Sequence, residues 1–112
     1  MEPHKISHEV VKKVPVIYIE GDMTSEADDA IMSLYSKIKS EISPSSLVFN
    51  FAKTSYINSA GIATLINVIQ DMNDNNGKVA FVGLSNHFLK VMDIVGISDF
   101  VEIFETNQQA IK

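Results

Sequence analysis

Ser59 is the residue of this sequence whose neighbours best suit chemistry. It stands between an apolar strand-like segment and an apolar helical segment, and two small residues, Ala60 and Gly61, follow it. The first N–H groups of a helix lack intrahelical acceptors, and the helix dipole favours an anion at that end. Two interpretations, which can hold together, stay open: the hydroxyl caps the helix, or it carries a phosphoryl group.

Enzyme motifs do not fit this serine. A nucleophile elbow needs a glycine two residues before Ser59, where Ile57 stands, and no Gly-Lys-Ser or Gly-Lys-Thr phosphate loop occurs. There is no cysteine, and the histidines are scattered: His4, His8 and His87. We therefore predict no catalysis, no metal site and no cofactor, and a small hydrolase is the weakest of three functional hypotheses.

An acidic loop, 21–25, is the second candidate segment. It belongs to a run of carboxylates comprising Glu20, Asp22, Glu26, Asp28 and Asp29. The run either complements the dipole of a following helix, with Thr24 or Ser25 as cap, or forms a docking patch for a basic partner. Met23 is either an exposed apolar contact or half-buried.

Composition excludes several classes of protein. The chain has 112 residues, 46% hydrophobic and 21% charged, which predicts one globular domain over 1–112. The net charge is −5 and every base is lysine, so nucleic-acid binding is not expected. No apolar run is long enough for a membrane span or a signal sequence, and we expect a cytoplasmic protein without a membrane partner.

Periodicity predicts an α/β fold that places both candidate segments at helix N-termini. Apolar segments predict strands at 6–12, 14–20, 47–51, 79–82 and 100–104. Helical spacing predicts a first helix at 25–42, a second from 59 to a stop at 75–77, and a third that ends at Gly96. A capping box at Thr106 predicts a short final helix. Alternating strands and helices give right-handed crossovers. We expect a five-stranded, mostly parallel sheet with an antiparallel edge strand and about four helices.

The segment 50–65, NFAKTSYINSAGIATL, resembles the central motif of the STAS domain family. The family pattern is a strand ending in Asp or Asn, an aromatic–hydrophobic–Asp-Ser segment, a small residue, Gly and an apolar helix. The edge hairpin, the turn at 21–23 and the segment 91–97 also lie where the family places them, so the resemblance covers nearly the whole chain. It is greatest to the single-domain bacterial anti-sigma factor antagonists.

The resemblance implies a partner switch that regulates sigma-dependent transcription. The unphosphorylated domain would bind a kinase-type anti-sigma factor and release sigma; the kinase would then phosphorylate Ser59 and be freed, and a serine phosphatase would reset the site. The segments 21–25 and 56–64 would form the contact surface. Its partner-binding residues would be Asp22, Met23, Thr24, Ser25, Tyr56, Asn58, Ser59, Ala60, Gly61 and Thr64.

Two positions depart from the family pattern. Asn58 stands where most relatives carry Asp, and Thr24 stands where relatives often carry Asp. The alternative hypothesis is a scaffold or regulatory STAS module of a signalling assembly or transport system, in which Ser59 is only a cap. A neighbouring gene for a small histidine-kinase-like ATPase would favour the switch.

Overall fold

An antiparallel hairpin forms one edge of the sheet. The computed structural model describes residues 4–111, in which β1 (Lys5–Val11) pairs with β2 (Val14–Met23). Lys12 and Lys13 join the strands with φ values of 51° and 68°, the left-handed conformation that suits a two-residue hairpin turn. A proline within a strand is expected among its first residues, because it lacks a backbone N–H for the sheet, and Pro15 is the second residue of β2.

The remaining elements alternate as expected. The other strands are β3 (Ser46–Asn50), β4 (Thr54–Ile57), β5 (Lys78–Val82) and β6 (Glu102–Phe104). The helices are α1 (Ser25–Ile42), α2 (Ser59–Asp74), α3 (Asn86–Ile94) and α4 (Asn107–Ala110). The main sheet has the order β1-β2-β3-β5-β6 and is parallel except at β1, which confirms the predicted α/β fold. No helix within 4–111 is long and apolar enough to cross a bilayer.

A sixth strand, β4, was not predicted. It runs parallel to the end of β2, with Asp22 opposite Tyr56 and Met23 opposite Ile57, after a register shift between Gly21 and Asp22. The prediction of a loop beginning at residue 21 was therefore wrong, because 21–23 continue β2. This pairing places the two candidate segments next to each other.

The last strand is shorter than predicted. Gly96 has a φ of 83°, and Ile97–Asp99 form a 3-10 turn before β6 begins at Glu102. Phe100, expected at the start of the strand, lies outside it and is exposed. Phe100 closes the turn instead, because its backbone N–H donates to the Ile97 carbonyl at 2.8 Å.

Helices α1, α2 and α3 pack on one face of the sheet, and α4 covers the other. The larger core contains a cluster of phenylalanine rings with centroids 5.0–6.1 Å apart: Phe49, Phe51 and Phe81. On the opposite face α4 is held by Asn107, whose amide donates to the Tyr18 hydroxyl at 2.8 Å and accepts from Asn50 at 3.0 Å. The capping box predicted at Thr106 is present.

A polar contact joins α1 to α2 away from their N-termini. The Asp71 carboxylate accepts hydrogen bonds from Lys39 Nζ at 2.8 Å and from the Tyr35 hydroxyl at 2.6 Å. These donors lower the pKa of Asp71, with the Lys39 hydrogen bond as the largest cause. Burial and the neighbouring carboxylate raise the pKa of Tyr35.

Candidate functional site

The N-termini of α1 and α2 lie side by side because the strands that precede them are paired. Helix α1 follows β2, α2 follows β4, and these strands run parallel. The pairing continues one residue further, since the Asn58 N–H donates to the Met23 carbonyl at 3.2 Å. Segments 21–25 and 56–64, predicted separately, therefore form one site.

Asn58, not Ser59, caps α2. The Asn58 Oδ1 accepts a hydrogen bond from the Gly61 N–H at 2.9 Å, and Asn58 has the extended backbone of an N-cap residue. The interpretation of Ser59 as the cap was therefore wrong. Ser59 is the first residue of the helix and is exposed, and within 4–111 no hydrogen bond engages its hydroxyl. The capping function is filled by its neighbour, which leaves this hydroxyl accessible.

Thr24 caps α1 in the corresponding way. Its Oγ1 accepts from the Glu26 N–H at 3.4 Å, and Glu26 and Asp28 lie in the first turn, where carboxylates stabilise the helix dipole. Ser25 is therefore the first residue of α1 and is exposed. Ser25 and Ser59 are matched in position, one on each helix.

Gly61 allows α2 to approach the end of β2. A Cβ atom at this position would lie 2.5 Å from the Met23 carbonyl oxygen and 3.0 Å from a side-chain carbon of Ile57. Real Cβ atoms essentially never approach a backbone oxygen so closely. Gly61, the second of the two small residues after Ser59, thus serves packing, and it fixes the distance of the helix N-terminus from the sheet.

Thr64 links the two helices near the site. Its hydroxyl donates to the Asp28 carboxylate on α1 and lies 3.2 Å from the carbonyl oxygen of Ala60. Thr64 is buried, so its hydroxyl acts inside the domain. The contact holds the first two turns of α2 against the first turn of α1.

The predicted partner-binding residues divide by burial. The exposed or half-buried members are Ser25, Tyr56, Asn58, Ser59 and Ala60. The buried members are Asp22, Met23, Thr24, Gly61 and Thr64. Burial gives this second set a role in positioning the first. The interpretation of Met23 as an exposed apolar contact was wrong, because its side chain is completely buried in the main core.

Two surface residues were misjudged from the sequence. An aromatic side chain such as that of Tyr56 is most simply predicted to lie in the core, yet 51% of Tyr56 is exposed, on a strand that was not predicted. Ala63 was missed; it is exposed and lies one helical turn after Ser59, so it shares that face. The four-residue spacing could have identified it. We call the set Ser25, Tyr56, Asn58, Ser59, Ala60 and Ala63 the Ser59 surface.

The acidic run contributes less surface charge than its sequence indicated. Asp22 is buried and Asp28 is bonded to Thr64, whereas Glu26 and Asp29 are exposed at the start of α1. Those two carboxylates lie in the first two turns of α1, whose N-terminus is beside that of α2. A docking patch for a basic partner stays a prediction. No group of three His, Asp or Glu side chains within 4–111 is placed to hold a metal ion.

Comparison with known proteins identifies the family of this domain. The family model of the STAS domain matches residues 5–110, and the chain belongs to that family. A comparison with curated proteins found no match.

Solved structures with the same fold include three relatives of low sequence identity. An anti-sigma factor antagonist from Mycobacterium paratuberculosis is 16% identical, with a TM-score of 0.84 over 97% of this chain and 92% of that one. SpoIIAA, the Bacillus cell fate determinant, in its phosphorylated form is 18% identical, with a TM-score of 0.75 over 97% and 96%. A sulfate transporter family protein from Wolinella succinogenes is 15% identical, with a TM-score of 0.80 over 92% and 85%.

Proposed function

We propose that this STAS domain is an anti-sigma factor antagonist that binds a kinase-type anti-sigma factor through the Ser59 surface and is released when Ser59 is phosphorylated. It is a binding protein of the cytoplasm, not an enzyme, and it regulates sigma-dependent transcription. A serine phosphatase resets the site. The likeness in fold to anti-sigma factor antagonists supports this assignment, and SpoIIAA, which is one of them, is also solved in a phosphorylated form.

The observation that carries the proposal is the exposed Ser59 hydroxyl at the first position of α2. Asn58 already supplies the helix cap, so the Ser59 hydroxyl can be modified without loss of a structural hydrogen bond. Tyr56, near the end of the preceding strand, and Ala63, one helical turn after Ser59, are exposed as well. A kinase can therefore reach the hydroxyl while contacting the residues around it.

A phosphate at Ser59 can be stabilised by the domain, but it opposes formation of the complex. A phosphoryl group adds about −1.5 to −2 charges at neutral pH. Inside the domain, the N–H groups of the first turn and the helix dipole stabilise that charge. In the complex, the phosphate would have to be desolvated at the centre of an interface flanked by the carboxylates of Glu26 and Asp29. Binding is thus weakened without unfolding either protein.

Intact-mass spectrometry tests the proposal. The domain is incubated with ATP and each kinase-type anti-sigma factor of the same organism, and the wild type is compared with Ser59→Ala and Ser25→Ala. Ser25 is a matched control because it is also the exposed first residue of a helix at this site. We expect one added phosphate on the wild type and on Ser25→Ala, and none on Ser59→Ala.

Binding measurements on the same proteins test the switch itself. Ser59→Ala should still bind the anti-sigma factor, and the stoichiometrically phosphorylated wild type should bind at least about tenfold more weakly, a loss of about 1.4 kcal/mol. Full-strength binding by the phosphorylated domain would show that phosphorylation does not control the complex. Phosphate on Ser59→Ala would show that the acceptor lies elsewhere.

A second candidate function is a regulatory STAS module of a transport system or signalling assembly. The likeness in fold to the Wolinella succinogenes sulfate transporter family protein favours it. In that case the Ser59 surface binds its partner constitutively. A stable complex that takes up no phosphate with any of the kinases would identify this function.

A further inference from the structure

A second apolar surface lies at the end of α3, distant from Ser59 along the chain. Three residues close together in sequence are exposed there: Ile94 (83%), Val95 (44%) and Phe100 (65%). Single exposed apolar side chains are ordinary, but neighbouring ones expose a continuous patch, which is typical of an interaction site. Gly96 stands between α3 and the 3-10 turn, and its φ of 83° sets the change of chain direction between Val95 and Phe100.

Two residues of the patch, Val95 and Phe100, line one side of a groove. Ile66 and Ile69, from the middle of α2, line this groove of about 270 Å³ together with Val95, Ile97 and Phe100. We call it the α2–α3 groove. One wall of the groove is α2, and the other is the C-cap of α3 with the 3-10 turn that follows it. An apolar groove of this kind can accept the apolar face of a further helix.

The rim of the groove is neutral or acidic. Gln70 and Asn73 provide amides on the α2 side. Asp93 and Asp99 are not lining residues, but both are exposed and stand next to lining residues in the chain, two residues before Val95 and one before Phe100. Asp93 accepts a hydrogen bond from the Ser98 hydroxyl at 3.2 Å. Lys90 is the one lysine of α2, α3 and the 3-10 turn. A ligand that places its own bases beside Asp93 and Asp99 would complement this rim.

We propose that the α2–α3 groove binds a basic amphipathic helix of a second protein. The apolar face of that helix packs on Val95 and Phe100, and its lysine or arginine side chains pair with Asp93 and Asp99. A second copy of this chain fits poorly, because a two-fold interface would bring the same carboxylates together on two molecules of net charge −5. An anionic membrane is repelled by the same charges.

This site can be occupied independently of the Ser59 surface. Ser59 begins α2 and Gln70 lies eleven residues along it, a rise of about 16 Å at 1.5 Å per residue. The proposal therefore stands whether or not Ser59 is a phosphorylation site. It gives the domain a means of staying attached to one protein while the other surface is free.

NMR titration of the whole ¹⁵N-labelled domain tests the proposal. The probe is a synthetic Leu/Lys amphipathic peptide of about 14 residues, roughly four helical turns, and the comparison peptide has every Lys replaced by Glu. We expect the basic peptide to shift the amides of Ile66, Gln70, Val95 and Phe100. The acidic peptide should cause no such shifts.

Three variants identify the contacts. Phe100→Ser should weaken binding of the basic peptide about tenfold, as loss of an aromatic anchor does. Asp99→Lys should weaken binding of the basic peptide severalfold. Because Asp99 is exposed, this variant should fold normally, and it tests the site even if Phe100→Ser is unfolded. Val10→Ser, at a 46% exposed apolar residue of β1, should leave affinity unchanged.

Several results would overturn the proposal. They are absence of binding by the basic peptide, equal binding by the acidic peptide, and shifts centred outside the groove. Peptide-free self-association that Phe100→Ser abolishes would assign the groove to a second copy. Binding to phosphatidylcholine vesicles that Phe100→Ser abolishes would assign it to a membrane.

Discussion

Replacing Gly61 by Ala tests the close contact that positions Ser59. The added Cβ would lie 2.5 Å from the Met23 carbonyl oxygen, a backbone atom that cannot rotate away. Overpacking of this kind costs about 1–3 kcal/mol, and the rigidity of the obstacle places it near the upper end. Alanine recovers about 1 kcal/mol in helix propensity. We expect a net loss of about 2 kcal/mol in the free energy of unfolding, which lowers Tm by about 8 °C at this chain length.

Urea and thermal unfolding of the wild type, Gly61→Ala and Gly77→Ala measure this loss. Gly77 is the matched control, because the atom nearest to a Cβ there is the flexible terminal methyl of Met72 at 2.7 Å, and the closest backbone oxygen is farther away than at Gly61, at 3.1 Å. We expect Gly77→Ala to lose less than about 1 kcal/mol. The amide NMR signals of Met23 and Ser59 should shift strongly in Gly61→Ala only.

The reasoning would be refuted by an unchanged or raised stability of Gly61→Ala. Such a result would mean that α2 can move away from β2 at no cost. The glycine would then not determine the position of Ser59. A loss of stability no larger than that of Gly77→Ala would also contradict the argument, because the atom nearest to the added Cβ is a backbone oxygen at Gly61 and a flexible methyl group at Gly77.

Three further substitutions test other contacts of the site and its support. Asn58→Ala should cost about 1 kcal/mol in chemical unfolding, whereas Asn58→Asp, which keeps the cap and adds a charge at the helix N-terminus, should be at least as stable as the wild type. The pKa of Asp71 is lower in the folded domain than its unfolded value of 3.8. The hydrogen bonds from Lys39 and Tyr35 therefore stabilise the fold fully at pH values above 3.8, and this stabilisation is lost as the pH falls through the lower folded pKa. Between pH 7 and pH 2 the free energy of unfolding should therefore fall more steeply in the wild type than in Asp71→Asn. At pH 7 the variant should be less stable by under about 1 kcal/mol, because the carboxylate is well exposed. Thr64→Val should lower stability by about 1–3 kcal/mol by leaving the carboxylate that it binds without this donor, and a stability equal to the wild type would show that the link between α1 and α2 is not needed.

The fold was predictable because its signals are local. Apolar segments alternate with helical periodicity, and turn residues stand between them, as at Lys12-Lys13 and at Gly96. Strand β4 escaped prediction because its four residues are mostly polar or exposed, so they carry no apolar pattern. Only its pairing with the end of β2, a contact between distant parts of the chain, makes it a strand.

The site was predictable in its residues but not in their roles. The sequence identified Asn58, Ser59 and Gly61 as one functional segment. It did not show whether Asn58 or Ser59 caps α2, since asparagine and serine are both good N-cap residues. Burial of Met23 and Thr64 also depends on how β2, α1 and α2 pack together, which the spacing of residues within each element does not determine.

The division between buried supports and exposed contacts explains how a small domain can be switched without refolding. Asn58 caps the helix, Gly61 sets its distance from β2, and Thr64 ties it to α1. Each of these functions is satisfied within the domain, so none depends on the Ser59 hydroxyl. A phosphate added there changes the charge of the surface and leaves the supporting contacts intact. The same independence means that a cap substitution should affect stability, whereas a Ser59 substitution should affect only what the domain binds.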